Sequence, residues 1–367
     1  MRRRGSLVLL ERPACAGRHL WKTQVAPFTR YASLSGGIYV AGDDRCTVYD
    51  PATGVPRATF AYAARDEAGR KPIVSDIRVS DDVIVIAGAF QKVREIEKGL
   101  WDSTFLVALD RSSGKQLWTR EAKHRFNINA LAISHGLVFC IDSLSPIETD
   151  QTKRDSPAPK TTPSDVLALD ARTGGVRWSA VTEAPYRLCR AGSWTTIQGH
   201  DDWLCCHEAL GLLLAGRHGQ AWAFEAASGK QVWQQKIGGG GPLILRGNTF
   251  IHQGGGIFDV RSGTPAGKPF DMARGGCNYA VGCEQLLLWR DNSVCYLNVD
   301  TRTKYHLRNV RSGCSNSLIA ADGLVNVPAF AAGCVCNYSI QTAFALVHMP
   351  EAAQWSGGSA PLGRRGE

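Results

Sequence analysis

Short clusters of asparagine, arginine, tyrosine and cysteine are the residues of this sequence best suited to bind a ligand. The clusters read FNIN at 126–129, RGGCNY at 274–279, RSGCSN at 311–316 and GCVCNY at 333–338. The candidate ligand-binding residues within them are Asn127, Asn129, Arg274, Asn278, Tyr279, Arg311, Asn316 and Asn337. Amide and guanidinium donors that converge on one mouth would form a polar pocket for an anion or a small ligand. Asparagines also satisfy the backbone of turns, and we favour this structural interpretation.

Cysteines are frequent, and their spacing bears on the compartment. The sequence holds 12 cysteines, six of them between Cys277 and Cys336. No CxxC spacing occurs, so a structural zinc site is not indicated. Clustered cysteines without metal spacing indicate disulfides and an oxidising compartment, either periplasmic or extracellular. The disulfide candidates are Cys314, Cys334, Cys336, Cys277 and Cys283, and the preferred pair joins Cys314 to Cys334 or Cys336.

A second group of reactive side chains surrounds the adjacent cysteines Cys205 and Cys206. On an ordinary strand these two thiols would point to opposite faces, which disfavours a disulfide between them. Asp201 and Asp202 stand between two histidines and could recruit a divalent metal. A turn rich in Asp and Gly has the same composition, and we favour the turn. We therefore assign no metal site and no catalytic residue.

The candidates must be positioned by a repeated phrase of two strands joined by a tight turn. The phrase reads LVALDRSSGKQLW at 106–118, VLALDARTGGVRW at 166–178 and AWAFEAASGKQVW at 221–233. Its alternating apolar residues predict half-buried strands. The acids that end the first strand can accept hydrogen bonds from backbone N–H groups of the turn. These acids are Asp110, Asp170 and Glu225.

Each phrase continues with a glycine and ends on a tryptophan. The glycine supplies the positive φ that closes a hairpin, and the tryptophan is expected to cover the junction between neighbouring sheets. The glycines are Gly114, Gly174 and Gly229, and the tryptophans are Trp118, Trp178 and Trp233.

Further strands precede each phrase, as in INALAIS at 128–134 and GLVFCID at 136–142. Three or four short strands per repeat predict the blades of an all-β protein, a β-propeller. The chain opens in mid-blade with a strand pair at 6–23 and closes at 342–347 without a fourth strand. We expect the N-terminal strands to complete the last blade and close the ring. This arrangement gives seven blades, or eight if upstream sequence is missing.

The expected domain organisation is a disordered basic start at 1–5, a single propeller at 6–349 and a flexible tail at 350–367. Two long loops, at 89–105 and 143–165, join second to third strands and therefore share one face. This face is the expected recognition surface for a protein or small-ligand partner. Loops that act only as spacers would have the same composition.

Charge and hydropathy exclude several classes of function. The formal net charge is +9, but basic residues are concentrated in the two ends or scattered, which disfavours nucleic-acid binding. No apolar run approaches the ~20 residues of a transmembrane helix. Only Leu7–Leu10 follow the basic start, and a signal peptide needs about 7–15 apolar residues. Either the protein stays inside the cell or Met1 is not the native start. We expect a monomer.

At these phrases the sequence resembles the quinoprotein (PQQ-like) propeller repeat, which has the same acid, turn glycine and terminal tryptophan. The resemblance spans roughly residues 6–347 and is strongest over the three phrases. Four segments are similar to uncharacterised bacterial PQQ-binding-like repeat proteins related to the outer-membrane assembly lipoprotein propeller. These segments lie at 100–131, 274–283, 311–328 and 333–347.

The resemblance implies a propeller, and three functions are compatible with it. The first is a non-enzymatic scaffold or binding module that presents one loop-rich face. The second is a PQQ-dependent quinoprotein dehydrogenase, whose relatives bind calcium through Glu and Asn beside an Asp base. We find no such set in the sequence and assign neither PQQ nor calcium as a cofactor. The third is binding of a carbohydrate or another small ligand in the propeller mouth.

Overall fold

The computed structural model describes residues 5–11, 18–26, 29–64, 69–90, 103–144, 161–185, 202–238, 241–273, 275, 279–307, 310, 312–313, 318–321, 324–328 and 343–347. The chain divides into two compact units. The first comprises Met1–Leu243, Asn248–His252 and Ile257–Gly267, and the second Ile244–Gly247, Gln253–Gly256 and Lys268–Glu367. Residues 1–4 of the expected disordered start and all of the expected tail lie outside the described residues.

Antiparallel strands make up most of the described chain, and the only helical element among these residues is a 3-10 helix at Glu208–Leu210. The strands of the first unit are β1 (Gly5–Glu11), β2 (Arg18–Val25), β3 (Arg30–Leu34), β4 (Gly37–Gly42), β5 (Arg45–Tyr49), β6 (Pro56–Ala61), β7 (Ile73–Val79), β8 (Val83–Ala89), β9 (Ser103–Asp110), β10 (Gln116–Ser134), β11 (Leu137–Ser143), β12 (Thr161–Asp170), β13 (Val176–Pro185), β14 (Trp203–His207), β15 (Leu212–Arg217), β16 (Gln220–Glu225), β17 (Gln231–Lys236), β19 (Thr249–Ile251) and β20 (Ile257–Asp259). Those of the second unit are β18 (Ile244–Arg246), β21 (Val281–Gly282), β22 (Leu286–Asp291), β23 (Ser293–Asn298), β24 (Lys304–Leu307), β25 (Ile319–Ala321), β26 (Leu324–Val327) and β27 (Phe344–Val347).

Strand composition follows position within a blade. The second strands, such as β4 and β8, are apolar at nearly every residue and are buried along their whole length. Outer strands alternate instead, and in β17 only Trp233 is buried. A strand packed on both faces requires a continuous apolar run, whereas an outer strand needs only one apolar side.

Four-stranded antiparallel meanders are the blades of a β-propeller arrangement. β3–β6 and β14–β17 form two of them in the first unit, and β21–β24 form one in the second. Two more lie in the seven-stranded sheet β7–β13, where the 19-residue β10 belongs to both. Its first half pairs with β9, its second half pairs with β11, and the register shifts between Phe126 and Leu131. The all-β propeller expected from the sequence is confirmed.

The expected number of blades is corrected, because the described residues form five four-stranded blades, not seven or eight. After β20 the sequence TPAGKPF contributes only one isolated bridge, between Phe258 and Pro265. Pro265 and Pro269 lack the N–H groups that a fourth strand would donate there. β25–β27 form a three-stranded sheet, and β1 pairs with β2 in a sheet of two. Closure of the ring by the N-terminal strands is not shown and stays a prediction.

The hydrophobic core of the first unit lies between blades. One cluster joins Tyr39 and Val48 of the first blade to Ile84 and Val107 of the second. Another joins Phe139 of the third blade to the fourth. Each blade is therefore stabilised by apolar surface that only its neighbour can cover.

Tryptophan side chains link neighbouring blades of the first unit by a repeated contact. The indole Nε1–H of Trp118 donates to the carbonyl of Ala171 at 2.9 Å, and its ring covers Gly174. The carbonyl acceptor lies one residue after the turn acid Asp170. Trp178 makes the same bond to Ala226 at 2.9 Å. The sequence-based assignment of the tryptophans to blade junctions is therefore correct.

The turn itself follows the expected chemistry in two of the three phrases. Asp110 Oδ1 accepts from the N–H groups of Ser112 and Ser113, and Asp170 Oδ1 accepts likewise from its own turn. Glu225 instead accepts from the hydroxyl of Ser228, because its longer side chain reaches past the backbone. The three turn glycines have φ values of 71°, 71° and 73°, as their role in hairpin closure requires.

The long connections of the first unit leave one end of the strands. Phe126 pairs with Ser103 of β9 on one side and with Asp142 of β11 on the other, so these strand ends meet. Thr161 pairs with Pro185, which places the ends of β12 and β13 there too. We call this the loop-bearing end, defined by the strand ends that flank residues 91–102, 145–160 and 186–201. β9 and β12 begin inside the ranges expected to be loops.

Candidate functional site

The predicted ligand residues fall partly within the described chain. Asn127 and Asn129 lie on β10 in the first unit, and Tyr279 is half-buried before β21 in the second. The remaining candidates lie outside the described residues and stay predictions. They are Arg274, Asn278, Arg311, Asn316 and Asn337.

Asn127 lies in a buried polar cluster at the loop-bearing end. Its amide Nδ2 donates to the Ser143 hydroxyl at 3.0 Å and to the carboxylate of Asp202. The Ser143 hydroxyl is also 3.4 Å from Asp202 Oδ2. Ser143 ends β11 and Asp202 immediately precedes β14, so the cluster ties the third blade to the fourth.

Arg217 completes this cluster and was not identified from the sequence. Its Nε lies 3.2 Å from Asp202 Oδ1, and the two side chains are only 6% and 4% exposed. Its Nη1 donates to the carbonyl of Pro163 at 3.1 Å, on the far side of the connection 145–160. In the sequence, Arg217 is a polar residue at the end of an apolar strand. Only the folding of the blade places Asp202 next to it.

The chemistry of this cluster favours a brace over an open ligand site. Asp202, Asn127 and Ser143 satisfy one another, and Arg217 neutralises the carboxylate. Arg217 Nε lies 3.2 Å from Asp202 Oδ1 without the geometry of a hydrogen bond, so this contact is an ion pair. Asn127 bonds to the side chains of Ser143 and Asp202 and not to the backbone of a turn, and its role in ligand binding stays a prediction.

A second buried carboxylate holds β10 at the point where this strand passes from the second blade to the third. Asp142 Oδ2 accepts from the backbone N–H of Lys123 at 2.6 Å, and Oδ1 accepts from that of His124 at 2.9 Å. These two N–H groups lie in the break of the β9 pairing between Glu121 and Phe126, before β10 begins to pair with β11 at Arg125. The charged acceptor satisfies donors that no strand can reach.

Inner strands carry arginines that reach the next blade. Arg30 Nε on β3 donates to the carbonyl of Ser75 at 2.8 Å, and Arg78 Nε on β7 donates to that of Leu131 at 3.1 Å. Asp76 lies between them, with Oδ1 2.6 Å from Arg78 Nη1. Burial raises the pKa of the Asp76 carboxyl to about 6, although Arg78 and Arg30 oppose this shift. Asp76 is therefore the described carboxylate nearest to a protonation change at mildly acidic pH.

The adjacent cysteines do not provide the disulfide of a quinone site. Cys205 pairs across the sheet with Leu214 and Cys206 with Leu213, so the side chains lie on opposite faces of β14. Both are free thiols, as the strand argument predicted. Burial raises the pKa of Cys205 to about 11 and that of Cys206 to about 12, which disfavours the reactive thiolates.

Other groups of the described chain likewise lack the donors of a metal or quinone site. No three His, Cys, Asp or Glu side chains among the described residues converge as metal ligands do. Ser293 and His306 are 2.9 Å apart, but the same Nε2 lies 2.8 Å from the carbonyl of Asp291. One nitrogen cannot both donate to that carbonyl and accept the serine proton. Neither group is an assembled metal site or an activated serine, and we derive no chemistry through them.

Disulfides are not observed in the part of the chain that the structure describes. Its six cysteines carry free thiols, including the exposed candidate Cys283. The candidates Cys277, Cys314, Cys334 and Cys336 lie outside the described residues, and their pairing stays a prediction. In the same described part, no helix is long and apolar enough to cross a membrane.

Comparison with known proteins gives a consistent picture of the fold. A family model described as outer membrane protein assembly factor BamB matches residues 3–195 and 162–342. The crystal structure of BamB from Moraxella catarrhalis aligns with a TM-score of 0.52 and 14% identity, covering 89% of this chain and 96% of that chain. Quinohemoprotein alcohol dehydrogenase from Comamonas testosteroni aligns with a TM-score of 0.42 and 13% identity, over 65% of this chain and 42% of that chain. No curated protein matches the sequence. At these identities the structural likenesses show the fold alone.

Proposed function

Because the chain belongs to the family of the outer membrane protein assembly factor BamB, we propose that it is a non-enzymatic propeller module that binds a protein partner. The proposed contact surface is the loop-bearing end of the first unit. A propeller is a rigid scaffold, and binding residues are concentrated in the connections that such scaffolds hold.

One observation carries this proposal: three long connections leave the same strand ends, and buried polar contacts brace those ends. Arg217, through Pro163 and Asp202, joins the strand starts that follow the connections 145–160 and 186–201. Asp142 fixes β10 at the same end. A braced base lowers the conformational entropy that its loops lose on binding, which favours recognition of a partner.

The proposal includes a location and an oligomeric state. The family name refers to the outer membrane, and we propose that this chain acts outside the cytoplasm as a monomer. Cell fractionation with a cytoplasmic marker tests the location, and light scattering of the purified chain tests the oligomeric state.

Site-specific photo-crosslinking tests the binding surface. Benzoylphenylalanine replaces Tyr31, which is 67% exposed beside Arg30, or Lys123, whose neighbouring Asp142 contact lies at the loop-bearing end. The matched control replaces Val55, which is 59% exposed in a turn at the opposite end. We expect irradiated source cells to give one discrete cross-linked species from Tyr31 or Lys123 and none from Val55. Equal cross-linking from both ends, or none from the loop-bearing end, would refute the proposal.

A further inference from the structure

Arg290 is a buried cation for which the described chain supplies no counter-charge. It lies near the end of β22 and is only 5% exposed. Its Nε and Nη1 are buried without a hydrogen-bond partner. The ion pairs described in the second unit involve other cations, Arg246 and Lys304. A guanidinium group buried in this way is strongly unfavourable unless an acceptor reaches it.

The described residues around Arg290 on its own side of the sheet are apolar. Val294 is its cross-strand partner, and Leu288 lies two residues earlier on the same face of β22. Both belong to one hydrophobic cluster with Leu318 and Val327 of the neighbouring sheet. An apolar wall excludes water and strengthens any charge-assisted bond that the guanidinium group makes.

The sequence around this site is poor in acids. Between Arg311 and Val347 the only carboxylate is Asp322. The segment 274–279 contains no acid. Among the described carboxylates, Asp291 directly follows Arg290 but lies 3.8 Å from Lys304, and Asp300 lies 3.1 Å from Arg246.

From these observations we infer that Arg290 anchors an oxyanion-binding site in the second unit. The ligand presents a carboxylate or phosphate group, whose oxygens accept from Nε–H and Nη1–H. Arginine is suited to this task because its charge cannot be lost and its donors are fixed in a plane. The site is independent of the loop-bearing end, since all of its residues belong to the second unit.

Thermal unfolding in matched salts tests the inference. Wild-type protein and the variants Arg290→Met and Arg246→Gln are unfolded in sodium chloride, phosphate and acetate at equal ionic strength. Arg246 is the control, because it is a half-exposed arginine of the same unit. We expect phosphate or acetate to raise the Tm of wild type and Arg246→Gln, but not that of Arg290→Met. The anion with the larger effect identifies the ligand as a phosphate or a carboxylate.

The same variant gives a second readout that a structural role would not produce. In chloride alone, Arg290→Met should unfold at the wild-type temperature or above it, because the substitution removes an unpaired buried charge. A Tm well below wild type in chloride would show that the guanidinium group is satisfied within the protein. No anion-specific rise in wild type, or a full rise in Arg290→Met, would also overturn the inference.

A milder variant measures the affinity of the site for each anion directly. Phosphate and acetate are then titrated calorimetrically into wild type and Arg290→Lys, which keeps the charge but loses the planar donors. We expect at least a tenfold weaker affinity in the lysine variant for the preferred anion. Equal affinity in the two proteins, or no binding to either, would overturn the inference.

Discussion

Removing Arg217 is the sharpest test of the brace at the loop-bearing end. Asp202 is 4% exposed, and its only cationic partner among the described residues is Arg217 Nε at 3.2 Å. The substitution Arg217→Met leaves this carboxylate buried with hydrogen bonds from Asn127 and Ser143 alone. Breaking one side of a buried ion pair costs about 3–5 kcal/mol. At about 2 °C per kcal/mol for a chain of this size, Tm should fall by roughly 6–10 °C.

A control variant and a double variant isolate the cause of that loss. Arg172→Met removes an exposed arginine that lies 3.0 Å from Asp110, and it should cost less than about 1 kcal/mol because water screens the pair. The double variant Asp202→Leu plus Arg217→Met removes both charges and should recover most of the lost stability. Thermal scans by circular dichroism at low and high salt measure all three. The reasoning is refuted if Arg217→Met unfolds within 1–2 °C of wild type, at about the cost of a surface pair.

Three further predictions concern the blade junctions and the inner strands. Trp178→Phe should lower stability by about 1–3 kcal/mol, since the buried carbonyl of Ala226 loses its indole donor; amide exchange of the fourth blade measures the effect. Gly174→Ala should destabilise the protein, because φ at Gly174 is +71° and a Cβ there would lie 2.7 Å from the Trp118 ring. Gly175→Ala should lower the stability less, because a Cβ there meets only a hydroxyl group at 3.4 Å. Asp76→Asn should flatten the pH dependence of Tm. Burial raises the pKa of the Asp76 carboxyl in the folded protein to about 6, whereas its pKa in the unfolded chain is about 4. The protonated carboxyl therefore stabilises the folded protein below pH ~4, and this contribution is lost as the pH rises through about 6. Tm measured from pH 4 to 7 checks this, and an unchanged profile in Asp76→Asn would contradict it.

The repeated phrase allowed the fold to be predicted because its constraints are local. The acid, the turn glycine and the tryptophan act within one hairpin or at the next blade, so sequence spacing reveals them. Glu225 shows the limit of this reasoning, since one extra methylene group moves the carboxylate from the turn backbone to the hydroxyl of Ser228. The resemblance to the quinoprotein propeller repeat is confirmed, but the blade count was wrong where prolines replace a strand.

The candidate site could be predicted only in part. Asn127 was singled out as a candidate ligand residue at the entry of an inner strand, and that role stays a prediction. Its partner Asp202 is 75 residues away, and the arginine that neutralises Asp202 follows an apolar strand with no motif around it. Arg290 was missed for the same reason. The roles of these arginines depend on how deeply they are buried and on which strand ends meet in the fold. The spacing of residues in the sequence predicts neither of these.

The first junction between blades shows how such a repeat tolerates divergence. Phe60 occupies the place of the tryptophan there, with its ring against Gly114, and it has no N–H to donate. Arg111 on the next blade reaches back instead, with Nε 2.8 Å from the Tyr39 hydroxyl and Nη2 3.1 Å from the carbonyl of Ser35. At this junction the hydrogen bonds between blades come from the second blade and not from the first. A junction of this repeat therefore does not need its own tryptophan, provided that a side chain of the neighbouring blade donates in its place.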